Sequence, residues 1–190
     1  MSYGWLPHIP TSPTVIEGVY LDKGSTKTRS EEYTWTAERV PWGSYVLDAA
    51  SGYVVDWHIL PQILDKLNCR IEAVDMNPAT LLMPTPQSVV RKVMDITDLK
   101  YPDRTFDVVT CISTVEHMSA EAREKFVIEA KRVLKPAGAL LVTADNYPGI
   151  SPEYLGKLFD EHFLIGEYEH TDNGDFPRGK RVAFLHAFRK

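Results

Sequence analysis

The stretch from Ser44 to Val54, SYVLDAASGYV, limits what this chain can fold into more than any other, and it is answered by Asp75 at the end of the next apolar run, CRIEAVD. A buried β-strand that ends in an acid and a small-residue turn, followed by a helix and a second acid-tipped strand, builds a nucleoside pocket at the carboxyl edge of a parallel α/β sheet. The rest of the chain continues that alternation. After YVLDA comes a helix over roughly Val55 to Leu67, then CRIEAVD and Val89 to Met94 as strands. FDVVTCI is the next buried strand. Ser119 to Leu134 reads as a helix with Phe126, Val127, Ala130, Val133 and Leu134 on one face, and Pro136 and Gly138 stop it. GALLVTA is a strand and Ser151 to Glu161 a helix opened by Ser-Pro. FLIGEYEH and RVAFLHAF, separated by the turn-rich TDNGDFPRG, close the chain as a β-hairpin.

The expected fold is therefore α/β: a doubly wound, mostly parallel sheet with an antiparallel last strand. Residues 1–40, rich in Pro, Gly, Ser and Thr and broken by the charges of DKGSTKTRSEE, read as an arm or lid ahead of a single domain over 41–190. With 190 residues, 44% hydrophobic and 25% charged, the chain is long enough for one sizeable core.

Charge and cysteine usage narrow the partners. A net charge of −5 argues against a phosphate-backbone partner, because non-specific nucleic-acid binding depends on clustered Lys and Arg. Cys69 and Cys111 both fall in apolar strand-like runs, which predicts buried free thiols rather than a disulfide or metal pair, as in a reducing cytoplasm. The opening MSYGWLPHIPTSP lacks a basic and an apolar signal region, and no later run is apolar for long enough to span a bilayer. A soluble protein with no membrane partner is expected.

The candidate chemistry lies at the strand ends. Asp48 precedes the turn Ala49, Ala50, Ser51, Gly52, whose small residues let a ligand approach the main chain, although an Asp at such a place is also an ordinary helix cap. Asp75 is placed to accept both ribose hydroxyls of a nucleoside lying across the switch point. Asp95, at the end of the third strand, can accept from an exocyclic adenine amine while the Ile96 N–H donates to a ring nitrogen. Replacing Asp75 is expected to weaken ligand binding with little effect on folding.

Val93 to Met118, VMDITDLKYPDRTFDVVTCISTVEHM, resembles the middle of the class I S-adenosylmethionine-dependent methyltransferases. There an acid-containing turn leads through a Leu-x-x-Pro-Asp-x-x-Phe-Asp run into a fourth strand ending in Glu-His. REKFVIEAKRVLKPAGALLVTAD is similar to the family's following helix, Leu-Lys-Pro-x-Gly turn and fifth strand. With VLDAASG and AVDMNP the resemblance covers about Tyr45 to Asp145, and it implies the Rossmann-like methyltransferase fold with a seven-stranded sheet.

The same resemblance implies S-adenosyl-L-methionine as cofactor and a small-molecule acceptor methylated on O or N. Asp48, Ala50, Ser51 and Gly52 match the motif along the methionine part, Asp75 the ribose acid, and Met76 a neighbour of the adenine. Asp95 and Ile96 match the adenine-edge pair, and Ser113 a position beside the sulfonium. Glu116 and His117 match the pair near the acceptor, and an unperturbed His titrates close enough to neutrality to take a proton. No metal is implied. Some ubiquinone-pathway O-methyltransferases share the Glu-His pair but carry another acid where Ser113 stands. A DNA amino-methyltransferase is disfavoured because STVEH replaces the Asn/Asp-Pro-Pro-Tyr loop used on a flipped base.

Departures from the family pattern leave an alternative open. Ala50, and often Val54, stand where the family carries Gly; if those positions require positive φ, each costs on the order of 1 kcal/mol or more. A catalytically impaired, S-adenosylmethionine-binding regulatory or accessory protein is then the competing reading. A nicotinamide-dependent oxidoreductase lacks its G-x-G-x-x-G turn. NPATLLMPTPQ, with three prolines after Asp75, is too broken for the family's usual longer helix. Tyr33 and Trp35 in SEEYTW either close over the cofactor or pack the arm on the sheet. Asp145, Asn146 and Tyr147 belong to a loop that should face the acceptor. His8, His58, His162, His170 and His186 read as surface or packing residues.

Overall fold

Strands Tyr45–Ala49 (β1), Arg70–Asp75 (β2), Val89–Val93 (β3), Phe106–Ile112 (β4), Leu134–Asp145 (β5), Phe163–His170 (β6) and Val182–Arg189 (β7) form one sheet in the order β3-β2-β1-β4-β5-β7-β6. The structure is a computed structural model and describes residues 26–54, 58–145, 152–170 and 182–190. β1 pairs in parallel with β2 and β4, β3 with β2, and β5 with β4, whereas β7 runs antiparallel to both neighbours. Strand order therefore reverses between β1 and β4, and a crevice for a ligand opens at their carboxyl ends.

Helices Thr26–Ala37 (α1), Leu60–Asp65 (α2), Ala120–Val133 (α3) and Pro152–Asp160 (α4) join these strands into two buried layers. Leu47, Ala49, Val109, Leu140 and Leu185 face Phe126, Val127 and Val133 of α3 and Leu155 and Phe159 of α4. On the other side Val46, Ile71, Ala73, Val108 and Leu141 pack with Tyr33 and Trp35 of α1 and Leu60, Ile63 and Leu64 of α2. Neighbouring residues of β1 thus enter opposite layers, which is why VLDA reads as a nearly continuous apolar run. Cys69 and Cys111 are buried free thiols, as their apolar context predicts.

Some helix boundaries fall inside the expected ranges or lie outside the described residues. The helix expected over 55–67 is Leu60–Asp65, with Pro61 in its first turn, the only place where a missing N–H costs no helical bond; residues 55–57 lie outside the described residues. The helix expected over 119–134 is Ala120–Val133: Ser119 caps it by accepting from the Ala122 N–H at 3.2 Å, and Leu134 already belongs to β5. NPATLLMPTPQ forms only the short 3-10 turn Pro78–Leu82, in keeping with its prolines. The hairpin turn at 171–181, Ser151, Asn146, Tyr147, His8 and residues 1–25 of the expected arm lie outside the described residues, as do the side chains of Asp145 and His170.

Within the segment expected to be an arm, α1 is a core element. Glu32, Tyr33, Trp35, Thr36 and Ala37 are buried, and the Trp35 ring lies 5.2 Å from that of Phe184 on β7. Packing of Trp35 on the sheet is therefore the realised alternative.

Candidate functional site

The acids that end β1 and β2 meet over the turn between β1 and α2. Asp75 is buried, its Oδ2 accepts from the Gly52 N–H at 2.9 Å, and its Oδ1 accepts from the Asn77 N–H at 2.8 Å. Each oxygen keeps a lone pair for a further donor. The Ser51 N–H is taken by the Val74 carbonyl at 2.8 Å, so the turn is tied to the end of β2 at two successive residues. Asp48 is also buried and accepts from Thr110 Oγ1 of β4 at 2.8 Å. Burial pushes its carboxyl up to about 6; the Thr110 bond and Arg91 oppose that rise and Asp75 adds to it.

The turn takes the shape that small residues permit. Ala50 has φ +60° and Gly52 φ +75°, whereas Val54 is not among the residues with positive φ. Of the two suspected glycine positions, one is thus strained, by about 1–2 kcal/mol for a residue with a Cβ. Gly52 has a second reason to be glycine: a Cβ there would fall 2.1 Å from Cδ2 of His58. The His58 ring lies against Gly52 with Nδ1 2.9 Å from the Val54 N–H, and burial, aided by Arg29, lowers its pKa. His58 is thus a packing residue of this loop.

Sequence reading missed Arg91. It sits mid-strand in β3 opposite Ala73, and its Nη1 reaches Ser51 Oγ at 3.4 Å and Thr80 Oγ1 at 3.3 Å. Among the described residues its buried Nε and Nη2 have no protein partner, and the charges of Asp48 and Asp75 counter the burial that lowers its pKa. A guanidinium interrupting an apolar strand was the available signal. Its orphaned donors, together with the spare lone pairs of Asp75, mark a polar recess under the turn suited to a hydroxyl-bearing ligand or bridging water.

Asp95 and Ile96 lie just past β3, where the Met94 N–H donates to the Asp75 carbonyl at 2.9 Å. Asp95 Oδ1 accepts from the Thr97 N–H and Oγ1, both at 2.8 Å, and Ile96 is buried while Met76 is 75% exposed. The loop that follows is held from α3: Glu129 accepts from the Leu99 N–H at 2.8 Å, and Arg132 donates to the Leu99 and Tyr101 carbonyls. Their ion pair lowers the carboxyl of Glu129.

Past β4 the chain turns sharply, with Ser113 at φ +44°, into the 3-10 turn Val115–His117. Arg123 of α3 clamps that turn by donating to the Val115 carbonyl at 2.9 Å and the Met118 carbonyl at 2.6 Å. Glu116 is buried and His117 exposed. The turn brings a further buried acid into view that the sequence did not announce. Glu32 of α1 accepts from Ser113 Oγ and from Thr143 Oγ1, the latter at 2.6 Å, and pairs with Arg29 at 3.1 Å. An acid on the apolar face of α1 was the only trace.

Acids at the ends of adjacent strands, a small-residue turn and a strand-order reversal define a nucleotide-type crevice on a doubly wound sheet. The chain belongs to the methyltransferase domain family, whose model matches residues 47–142. Membership of that family implies S-adenosylmethionine as its cofactor. The crystal structure of the cyclase SpnF superposes with a TM-score of 0.70 at 17% identity, covering 95% of this chain and 90% of that one. The Burkholderia thailandensis 1,6-didemethyltoxoflavin-N1-methyltransferase, with bound 1,6-didemethyltoxoflavin and S-adenosylhomocysteine, gives 0.69 at 17% identity over 85% and 78%. N-methyltransferase NodS from Bradyrhizobium japonicum gives 0.67 at 11% over 87% and 98%. At these identities the likeness is one of fold.

Proposed function

We propose that this chain transfers the methyl group of S-adenosylmethionine to an oxygen or nitrogen atom of a small molecule. The observation that supports it most is the crevice itself: Gly52 and Asp75 are bonded across the ends of β1 and β2 beside buried Asp48, and Ser113 follows β4 on the other side of the same strand-order reversal. Asp48, Ala50, Ser51, Gly52, Asp75, Met76, Asp95, Ile96 and Ser113 would hold the cofactor, with Asp75 taking the ribose hydroxyls and the Asp95–Ile96 edge the adenine. When bound, the cofactor supplies an activated methyl group on a sulfonium. The protein's share is then alignment and, where the acceptor needs it, proton removal. His117, exposed on its clamped turn beside the crevice, is the proton acceptor in this reading, and buried Glu116 supports the turn. Two fold neighbours, both N-methyltransferases, agree with a heteroatom acceptor. The negative net charge accords with a partner other than nucleic acid, and among the described residues no helix is long and apolar enough to cross a membrane.

S-adenosylhomocysteine at a hundred times its Kd should stabilise the protein by about 2.7 kcal/mol, a rise in Tm of about 5–10 °C. No shift at millimolar ligand, with NADH stabilising instead, would overturn the reading. The strained Ala50 favours one competitor, a cofactor-binding relative without turnover. That protein would show the same Tm rise but no transfer of a tritiated methyl group to any acceptor in a small-molecule cell extract.

A further inference from the structure

The end of β4 is unusual in what it withholds. Ser113 has two hydrogens able to form hydrogen bonds, and both are directed inward. Its N–H donates to the Thr143 carbonyl at 2.9 Å and lies 3.2 Å from Thr143 Oγ1, and its hydroxyl donates to Glu32 Oε1. Thr143, itself fully buried, spends its own hydroxyl hydrogen on the same carboxylate oxygen at 2.6 Å. The next residue repeats the pattern, since Thr114 Oγ1 donates to the Ile112 carbonyl at 3.0 Å. A carboxylate paired with Arg29 can only accept, so it dictates the direction of both hydroxyls around it.

The consequence falls on the half-buried side of Ser113. Its hydroxyl is left with lone pairs and no hydrogen, and donation to a carboxylate makes that oxygen a better acceptor than an ordinary serine hydroxyl. Keeping it so has a cost: Ser113 is held at φ +44°, and a charged side chain from α1 is buried among three elements. Strain held in place by surrounding structure at a strand-order reversal is typical of positions that serve a ligand.

We propose that Glu32 and Thr143 orient Ser113 as an obligate hydrogen-bond acceptor, and that the site thereby takes acceptor molecules whose nucleophilic atom carries a hydrogen, namely amines and hydroxyl compounds. Ser113 accepts from the nucleophile's N–H or O–H in the bound complex and aims its lone pair, the proton released as the methyl group transfers passes to His117, and Glu32 and Thr143 are positioning residues that act through Ser113. Thiolates, carboxylates and carbanions have no hydrogen to offer at the reacting atom and gain nothing from this oxygen. The inference rests on the methyltransferase reading and deepens it. It also gives α1 a role in acceptor choice that its place in the core does not require.

The test uses the full chain, wild type and the variants S113A, E32Q and E32Q/S113A. Calorimetry with S-adenosylhomocysteine comes first. Tritiated methyl transfer to the small-molecule fraction of a cell extract follows, with the methylated atom of each product assigned by NMR. The expected products are N-methyl or O-methyl compounds formed at N–H or O–H groups. S113A and E32Q should each lower their formation by about tenfold to hundredfold, the range for one charge-assisted hydrogen bond, and the double variant no further. S-adenosylhomocysteine affinity of E32Q should stay within about threefold, and in the ligand-free protein the two substitutions should lower Tm non-additively, since S113A removes and E32Q weakens the same bond. If E32Q fails to fold, T143V probes the same oxygen and S113A the acceptor itself. Products methylated on sulfur, carbon or carboxylate, full activity of S113A, additive losses, or no product while S-adenosylhomocysteine binds would each overturn the proposal. Failure of wild type to bind S-adenosylhomocysteine would overturn the methyltransferase reading beneath it.

Discussion

Replacing Asp75 by Ala tests the construction of the cofactor turn, and the structure changes what that substitution should do. From sequence, Asp75 is a rim residue whose loss weakens binding and spares folding. In the structure its two carboxylate oxygens hold the Gly52 and Asn77 N–H groups at 2.9 and 2.8 Å, and the side chain is buried. A hydrogen bond to a charged group contributes about 1.5–3 kcal/mol, and a buried donor left unpaired costs a comparable amount. The Gly52 N–H is buried and loses its partner outright, whereas half-buried Asn77 can turn to water. The expected loss is therefore about 2–4 kcal/mol, a fall in Tm of about 4–16 °C for a chain of this size. Urea unfolding should show the midpoint falling with an unchanged m-value, because the surface exposed on unfolding is the same. S-adenosylhomocysteine affinity should fall as well, since both the proposed ribose acceptor and the turn are lost. A loss of stability below about 0.5 kcal/mol with intact binding would refute the argument that Asp75 builds the turn, because that is the range of an ordinary surface substitution.

Asp48 carries a pH signature. Its carboxyl is raised to about 6 in the folded state from 3.8, so the native protein binds the extra proton between those values. Stability from this group is present at low pH and is lost as pH rises from about 4 to about 6, by on the order of 3 kcal/mol. Asp48→Asn should remove that loss, so the stability difference between variant and wild type should move in favour of the variant across this range; a flat difference would refute the shift. Ser119→Ala should destabilise by about 1 kcal/mol in urea unfolding, through the lost cap on α3. His117→Ala should lower turnover by about a hundredfold or more while changing S-adenosylhomocysteine affinity little, and equal activity would remove His117 as the proton acceptor.

What could be read from the chain alone follows from local repetition. Period-two and continuous apolar runs mark strands, and Asp48, Asp75 and Asp95 stand at or just past the ends of the first three because a parallel sheet places its ligand edge there. Ser119 before an apolar helix and the Asp-containing turn after β3 are likewise local, and both lie within a residue or two of expectation. The start of helix α2 was blurred because Val55, Trp57 and Ile59 carry the apolar pattern ahead of it, and only Pro61 in the first turn shows where regular bonding begins.

Tertiary structure decided which side chains those strand ends would meet. The Glu32–Ser113 contact joins residues 81 apart, Glu32 and Thr143 are 111 apart, and Arg91 reaches Ser51 across 40. Nothing in the composition near Glu32 distinguishes it from the half-buried Glu31 beside it, because direction on a helix face becomes a contact only once the sheet exists. The chain by itself determined a cofactor edge and the acids along it. Closure of α1 onto the sheet determined the direction of the Ser113 hydroxyl, since a buried carboxylate imposes its hydrogen-bond direction only on the groups that folding brings to it.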